Sequence, residues 1–320
     1  MKISVLGCGR WGSFIAWYLN RNGHEVTSFG IAEDPYVVEF FKTRVNSYVT
    51  FPEEINLTTD LDEALEEAEV VVISISSQHL REFMEKVKAT GKADDKKFVL
   101  CMKGIENTTG KRLSEIMIES GIDKNNIAVW VGPGHIQEFT RGVPNLMIID
   151  SYNKELSEYL IKNFKSDLIR YYQGEDIIGT EIGAAAKNVM GIAAGMLDGG
   201  GYTSLKGALI ARGAREVSRL IKAAGGNELS AYGLCHIGDY EATLFSPHSH
   251  NRMFGEKFVK HEEFSKLAEG VETSTALLNL ASKYGVEMPI TNAVSSIILE
   301  GKDPMTTLLS LFARTNLNEF

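Results

Sequence analysis

The sequence predicts an α/β protein in two parts, an N-terminal doubly wound sheet followed by an all-helical C-terminal domain. In the first half, short apolar runs of strand length alternate with helical stretches, which is the pattern of a largely parallel sheet covered by helices. From Ile177 onward the helical patterns are long, and strand signals almost disappear. We therefore predict domains at 1–176 and 177–320.

Six runs predict the strands, and three stretches between them predict helices. The run EVVVISIS is continuously apolar, as expected for a strand buried on both faces of a sheet. The predicted helix 11–22 ends before Gly23, a residue typical of a helix C-terminus. The predicted strands lie at 2–6, 24–30, 69–76, 96–104, 127–134 and 145–150, and the other helices at 61–68 and 79–89.

Composition and charge exclude several classes of protein. The chain has 320 residues, 44% of them hydrophobic, and a net charge of −9, which argues against nucleic-acid binding but leaves an anionic small substrate possible. Cys8, Cys101 and Cys235 form no CxxC pair, so a reducing compartment is expected. Because the N-terminal apolar run is too short for a signal peptide and no window reaches the length of a membrane span, we expect a cytoplasmic protein.

The stretch GCGRWG, from Gly7 to Gly12, indicates a dinucleotide site. It follows a predicted strand and opens a predicted helix, which is the setting of the GxGxxG fingerprint in a Rossmann-type sheet. Gly7 permits a tight turn, Gly9 lets a pyrophosphate approach the backbone, and Gly12 permits close packing of helix on strand. Arg10 and Trp11 are further candidate cofactor contacts. The alternative is a glycine-rich turn in an unrelated α/β domain.

The choice between NAD and NADP depends on the residues after the second strand. That segment, FGIAEDP, contains Glu33 and Asp34 and no basic residue before Lys42. An acidic residue there binds a free ribose, whereas an arginine accepts a 2′-phosphate. The sequence therefore favours NAD.

The stretch GAAAKNVMGIAAG (183–195) indicates where a proton could be transferred. On a helix Gly183, Lys187 and Gly191 share one stripe, and we expect the glycines to leave room for a nicotinamide or a small substrate. A lysine whose pKa is brought toward neutrality by burial and neighbouring cations can act as an acid and a base. These residues alone leave a second interpretation open, a tightly packed helix whose lysine reaches solvent.

Over nearly its whole length the chain resembles the bacterial NAD(P)-dependent glycerol-3-phosphate dehydrogenases. The resemblance rests on the order and spacing of separate motifs, and not on any one of them. The matching pieces are Gly7, Gly9, Trp11 and Gly12; Lys103-Gly104; Gly132-Pro133; Lys187-Asn188; Gly238-Asp239 with Thr243; SHNRMFG (249–255); AEG (268–270); and VEMPIT (286–291).

The resemblance implies a reversible hydride transfer between NAD(P)H and dihydroxyacetone phosphate in a homodimer of glycerophospholipid metabolism. It makes Lys187 the general acid/base and places Lys103 between cofactor and substrate, while Asp239 holds the substrate hydroxyl or orients Lys187. Ser249 and Asn251 are implied to bind phosphate, and Glu269 to contact the nicotinamide half of the cofactor. The implied cofactor contacts are Gly7, Gly9, Arg10, Trp11, Gly12, Lys103, Ile136, His250 and Glu269. The implied substrate contacts are Lys103, Gly132, Gly134, Lys187, Asp239, Ser249, His250 and Asn251.

Two departures from the family pattern lie among the implied substrate contacts. His250 stands where the family has arginine, which would weaken phosphate recognition or make it pH-dependent unless Arg252 takes over. Gly134-His135 stands where the family has a hydroxyl residue followed by an aromatic one. They keep open the alternative of a dehydrogenase of another polyol phosphate or β-hydroxy acid. A non-catalytic NAD(H)-sensing module is a separate alternative. The spacing of His236, His248 and His250 matches no zinc site, so no metal is expected.

Overall fold

The computed structural model describes residues 1–313, apart from the side chain of Glu241, and the chain divides into two compact units. The first unit comprises Met1–Lys103 and Arg112–Ile177, and the second comprises Gly104–Lys111 and residues 178–313.

The first unit is built on an eight-stranded sheet with the strand order β3-β2-β1-β4-β5-β6-β7-β8. Strands β1 to β6 pair in parallel, β7 runs antiparallel to β6, and β8 is parallel to β7. The predicted doubly wound α/β sheet is confirmed. The strands are β1 Lys2–Leu6, β2 Glu25–Phe29, β3 Asn56–Thr58, β4 Val70–Ile73, β5 Lys97–Leu100, β6 Ile127–Val131, β7 Asn145–Ser151 and β8 Ile169–Gln173.

Helices cover the sheet, and an aromatic cluster fills part of the core beneath them. The ring centre of Tyr18, on the first helix, lies 6.0 Å from that of Trp130, and the ring centres of Trp130 and Phe164 lie 5.5 Å apart. The Tyr18 hydroxyl donates a hydrogen bond of 2.5 Å to the Phe164 carbonyl, so the buried phenol is satisfied as burial requires. The helices are α1 Arg10–Arg21, α2 Pro35–Thr43, α3 Leu61–Glu66, α4 Leu80–Ala89, α5 Leu113–Glu119, α6 Ile136–Phe139 and α7 Lys154–Phe164.

The second unit is helical, and no strand occurs in it among the residues that the structure describes, which confirms the prediction of an all-helical second half. Helix α8 is buried along most of its length and forms the centre of the unit's core. The carboxylate of Glu216 on α9 accepts the backbone N–H groups of Ile290 and Thr291 at 2.7 and 3.0 Å, and so ties the first turn of α12 to α9. The helices are α8 Ile177–Gly199, α9 Lys206–Ala223, α10 His250–Val259, α11 Gly270–Tyr284, α12 Pro289–Glu300 and α13 Pro304–Ser310.

The segment Gly104–Lys111 departs from its predicted place. The sequence assigned it to the first domain because it follows β5 along the chain, whereas its contacts lie in the helical unit. Asn279 of α11 donates its side-chain N–H to the Asn107 carbonyl at 2.9 Å. At Gly110 a Cβ would lie 3.1 Å from the backbone nitrogen of Leu280. The segment carries no helical or strand pattern, so only these long-range contacts determine where it packs.

Between residues 1 and 313, no helix combines the length and the apolarity needed to cross a bilayer.

Candidate active site

The glycines of the turn between β1 and α1 have distinct structural roles. Gly7 has φ +107°, and a Cβ there would lie 2.3 Å from the Ser74 carbonyl oxygen. At Gly12 a Cβ would lie 1.7 Å from the Gly7 carbonyl oxygen, whereas at Gly9 nothing lies within 4 Å of it. Gly7 and Gly12 therefore close the turn, and Gly9 leaves open space beside the backbone.

Helix α1 begins beside this space without a side-chain cap, since Gly9 is its N-cap residue. Its first N–H groups therefore face outward as a site for an anion. Trp11 follows on the first turn, and the Lys103 ammonium lies 5.6 Å from the centre of the Trp11 ring. The same ammonium donates to the Gly132 carbonyl at 2.9 Å. The turn thus brings together Gly9, Trp11, Lys103 and Gly132 from three separate loops at the ends of parallel strands.

Gly132 and Gly134, which follow β6, are both fixed as glycine by their backbone. Each has φ +139°, and a Cβ at Gly134 would lie 2.4 Å from the Phe139 ring. A hydroxyl residue at position 134, as in the family pattern, would therefore clash with the Phe139 ring in this loop. His135 is buried and precedes α6. The Ile136 side chain is fully buried in the core, so a contact from Ile136 to a cofactor would have to come from its main chain.

In the second unit Lys187 of α8 forms a buried ion pair. Its ammonium lies 2.8 Å from Asp239 Oδ2 and donates to the Thr243 hydroxyl at 2.9 Å. The Thr243 hydroxyl in turn donates to the Asp239 carbonyl at 2.7 Å, which directs its oxygen lone pair toward Lys187. The Lys187 side chain is 10% exposed and that of Asp239 1%, so the alternative of a lysine extended into solvent is wrong. The sequence interpretation expected cations near Lys187, whereas its ion-pair partner in the structure is the Asp239 carboxylate.

Next to this pair, His236 is held as a neutral core residue. Its Nδ1 donates to the Gly183 carbonyl at 2.8 Å, and its Nε2 accepts from the Tyr240 hydroxyl at 2.6 Å. Because a carbonyl can only accept, these contacts fix the tautomer. Burial lowers the pKa of His236 to about 4.

The glycines around Lys187 do not leave room for a ligand, contrary to the sequence interpretation. A Cβ at Gly183 would lie 3.0 Å from Cys235 Sγ, and one at Gly191 would lie 2.8 Å from Thr243 Cγ2. The small residues of α8 instead let the neighbouring segments that carry Asp239 and Thr243 pack directly against the helix backbone. The glycines therefore fit the second interpretation of the sequence, in which α8 is a tightly packed helix. This packing brings the partners of Lys187 within hydrogen-bonding distance.

The N-terminus of α10 gathers the predicted phosphate ligands. Ser249 is the N-cap residue, and its hydroxyl accepts the Arg252 N–H at 3.3 Å. Asn251 Oδ1 accepts the Gly270 N–H at 2.9 Å, which ties α10 to the start of α11 beside Glu269. His250 is half-buried, with its ring centre 6.4 Å from that of Phe264. A helix N-terminus with these polar residues in its first turn is suited to an anion.

Arg252, the alternative to the missing arginine at position 250, is engaged in ion pairs. Its Nε lies 2.9 Å from Asp198 Oδ2 and its Nη1 lies 3.2 Å from Glu256. Asp198 also pairs with Lys206 at 2.6 Å. Arg252 therefore serves a buried charge network that joins α8, α9 and α10.

Sequence reasoning missed two residues that the structure adds to these sites. Thr243 was recognised as a family match but not as a partner of Lys187; its position four residues after Asp239, one helical turn, was the available signal. Tyr48 carried no motif, and its ring lies 5.6 Å from the Arg10 guanidinium carbon.

Comparisons with known proteins find relatives along nearly the whole chain. The family model described as NAD-dependent glycerol-3-phosphate dehydrogenase N-terminus matches residues 2–157, and its C-terminus counterpart matches residues 176–309. A curated relative from Thermoanaerobacter sp. (strain X514), named glycerol-3-phosphate dehydrogenase (NAD(P)+), is 37% identical over 100% of this chain and 99% of its own. A second, from Prosthecochloris aestuarii (strain DSM 271 / SK 413) and with the same name, is 37% identical over 98% of each chain. The crystal structure of a glycerol-3-phosphate dehydrogenase from Coxiella burnetii is 29% identical, with a TM-score of 0.89 over 98% of this chain and 99% of that chain.

Proposed function

The chain belongs to the family of NAD-dependent glycerol-3-phosphate dehydrogenases, and we propose that it interconverts dihydroxyacetone phosphate and sn-glycerol 3-phosphate with NAD(H) or NADP(H). The observation that carries the proposal is the buried Lys187–Asp239 ion pair with Thr243. Burying a charge pair costs desolvation free energy. At this position the pair holds the Lys187 nitrogen, the proposed proton donor, in one place.

The first unit, Met1–Lys103 and Arg112–Ile177, is proposed to bind a dinucleotide. The space beside Gly9 is open, and the uncapped start of α1 offers N–H groups to a pyrophosphate. Trp11 and Lys103 lie beside the same turn and would contact the nicotinamide half. When bound, the cofactor supplies or accepts the hydride.

The proposed role of Lys187 is to move the proton. Reduction of the substrate ketone places negative charge on its C2 oxygen, and an ammonium group can give that oxygen a proton. In the reverse direction the amine takes the proton back. Asp239 and Thr243 would hold the Lys187 nitrogen in one position throughout. A donor held in position favours proton transfer, because fewer orientations of donor and acceptor have to be sampled.

The phosphate of the substrate is proposed to bind at the start of α10. Ser249, His250 and Asn251 lie in or next to its first turn, where the helix dipole favours an anion. Glu269, the residue before α11, lies next to the Gly270 N–H that Asn251 holds. With histidine in place of arginine, protonation of the imidazole would strengthen phosphate binding.

A dehydrogenase of another small polyol phosphate or β-hydroxy acid is the second candidate. It is favoured by the two departures, His250 and the side-chain-free Gly134. A non-catalytic NAD(H)-sensing module ranks below both, because it has no use for a buried Lys187–Asp239 pair.

Membership of the family also supports a cytoplasmic homodimer that feeds glycerophospholipid synthesis. Sedimentation of the purified protein would test the dimer directly.

Oxidation of NADH and NADPH by the purified protein should be followed with dihydroxyacetone phosphate, with a different ketose phosphate and with a β-keto acid. We expect turnover with dihydroxyacetone phosphate at the highest kcat/KM and glycerol 3-phosphate as the product. A folded protein that binds NADH and prefers another of these substrates would overturn the substrate assignment. Binding of NADH without turnover on any of them would favour the sensing module.

A further inference from the structure

Arg10 holds a charge that no carboxylate neutralises. It is the first residue of α1, directly after Gly9. Among residues 1–313 no acidic side chain forms an ion pair with it, its Nε has no hydrogen-bond partner, and burial lowers its pKa. A partly buried guanidinium without a counterion is unfavourable, so binding of an anion at this point would stabilise the site.

Tyr48 supplies a platform beneath this guanidinium. The Arg10 guanidinium carbon lies 5.6 Å from the centre of the Tyr48 ring, within the range of a cation–π contact. The ring is held by a tight turn in which Asn46 Oδ1 accepts the N–H groups of Tyr48 and Val49 at 2.8 and 2.9 Å. The contact holds the guanidinium over the ring, and a planar guanidinium can present paired donors to a phosphate.

The turn that carries Tyr48 lies near the end of β2, where a Rossmann-type sheet binds the adenosine ribose. Tyr48 contacts Arg10, which begins the helix that follows β1, and the last residue of β1, Leu6, pairs with Phe29 at the end of β2. Cys8, two residues before Arg10, lies against Gly30, the residue that follows β2, since a Cβ at Gly30 would lie 2.7 Å from its Sγ.

The acidic residues that favoured NAD in the sequence are not placed as a ribose ligand at the end of β2. The position directly after the strand is Gly30, where neighbouring side chains leave no space for a side chain. Asp34 accepts the Tyr36 N–H at 2.9 Å as the N-cap of α2, and Glu33 is exposed. Near this strand end, Arg10 adds a positive charge with which no acidic side chain of residues 1–313 forms an ion pair.

We propose that Arg10, stacked on Tyr48, binds the 2′-phosphate of NADPH, and that this lets the chain use NADPH although it has no basic residue between β2 and Lys42. The inference rests on the proposed dinucleotide site and assigns its phosphate discrimination to one residue. Arg10 is a binding residue here and takes no part in proton transfer.

Titration of intrinsic tryptophan fluorescence with NADPH and NADH tests the inference without relying on turnover. For Arg10→Gln we expect the Kd for NADPH to rise by about tenfold or more and that for NADH to change by less than about twofold. Tyr48→Leu should shift the NADPH value in the same direction by a smaller factor, because the guanidinium loses its platform. Arg21→Gln is the matched control, since it removes a guanidinium stacked on Trp17 at 5.3 Å near the other end of the same helix, and it should leave both Kd values unchanged.

Two fragments separate the possible contacts of Arg10. Adenosine 2′,5′-bisphosphate carries the 2′-phosphate and AMP does not, so the Arg10→Gln substitution should weaken binding of the first and spare the second. Equal weakening of NADPH and NADH would mean that Arg10 binds the pyrophosphate, and would overturn the inference. So would an unchanged NADPH Kd, or a wild-type protein that binds NADH but not NADPH. A folded wild-type protein that binds neither dinucleotide would instead overturn the proposed function.

Discussion

Lys187 Nζ lies 2.8 Å from Asp239 Oδ2 and is held from a second side by Thr243. The two partners lie far along the chain from Lys187, on the segment that packs against Gly183 and Gly191 of α8. The absence of side chains at these glycines allows the segment to approach the helix closely enough to form the ion pair. The Gly/Ala composition of α8 and the lysine in its middle are therefore parts of one arrangement.

Replacing Lys187 with methionine should abolish most of the activity. The proton transferred to the substrate oxygen loses its donor, and we expect kcat with dihydroxyacetone phosphate to fall by about 100-fold to 10,000-fold. NADH binding, which we assign to the first unit, should be unchanged in a fluorescence titration. Lys222→Ala, an exposed lysine of α9 paired with Glu228, is the control and should keep full activity. A Lys187→Met protein with near-wild-type kcat would remove Lys187 from the mechanism.

Stability and activity can be separated by removing both members of the ion pair. Lys187→Met alone leaves a buried carboxylate unpaired, which we expect to lower the free energy of unfolding by about 3–5 kcal/mol. In the double variant Lys187→Met/Asp239→Asn both charges are gone, and most of that loss should be recovered in urea denaturation. Activity should stay as low as in the single variant. If the double variant also regained turnover, the effect of the single substitution would come from misfolding and not from loss of the proton donor.

Much of the fold followed from local patterns, and two of the strands that were missed lacked a clear one. The continuous apolar run of β4 could be predicted because a strand buried on both faces has no polar alternation. Strand β3 is three residues long, too short to show a period. In β8, buried Ile169 and Tyr171 alternate with exposed Arg170 and Tyr172. Because the exposed Tyr172 is aromatic, the sequence IRYYQ does not show the apolar–polar alternation that would identify a strand.

The parts of the candidate site that lie in one continuous stretch of sequence could be predicted. The parts that folding brings together from distant positions could not. The turn from Gly7 to Gly12 could be assigned residue by residue because its geometry is local. The role of the α8 glycines could not be, since the atoms that fill their space come from Cys235 and Thr243, far along the chain. Tyr48 was missed for the same reason, because its contact with Arg10 exists only after the chain has folded.

Alanine substitution at Gly9 should weaken cofactor binding with little loss of stability, whereas alanine at Gly12 should destabilise the fold. Gly9 has φ −66° and open space around a Cβ, so Gly9→Ala should change the free energy of unfolding by no more than about 1 kcal/mol while weakening NADH binding. At Gly12 the Cβ would lie 1.7 Å from the Gly7 carbonyl oxygen, and the helix must move away from β1. Thermal unfolding and NADH titration of both variants provide the check. Intact NADH affinity in Gly9→Ala would contradict the assignment of this space to the pyrophosphate.

Restoring the family's hydroxyl at position 134 should destabilise the protein instead of improving activity. In Gly134→Ser the side chain would meet the Phe139 ring at 2.4 Å, and that ring stacks on Phe14 at 5.1 Å. Gly142→Ser is the matched control, because Gly142 also has positive φ but open space around its Cβ. It carries the backbone strain, about 1–3 kcal/mol, without the clash. Urea denaturation should therefore show a larger loss for Gly134→Ser, and equal losses would mean that the loop yields to the new side chain.

Acid should destabilise the protein through His236. Burial lowers the pKa of His236 from 6.5 to about 4, so between these values the unfolded chain binds a proton that the folded chain does not. The free energy of unfolding then falls as the pH falls, and its contribution from His236 is complete only above pH 6.5. The difference between pH 7 and pH 5 amounts to roughly 2 kcal/mol.

His236→Asn tests this dependence, because an asparagine amide can still donate to the Gly183 carbonyl but does not titrate. The variant should be less stable than wild type at pH 7, since the Tyr240 hydroxyl loses its acceptor. Its stability should then fall by roughly 2 kcal/mol less between pH 7 and pH 5. His261→Asn is the control: His261 is an exposed histidine with φ +56°, a conformation that asparagine tolerates, and it should keep the wild-type pH dependence. If His236→Asn kept the wild-type slope, the acid sensitivity would arise from carboxylates, and folding would not lower the pKa of His236.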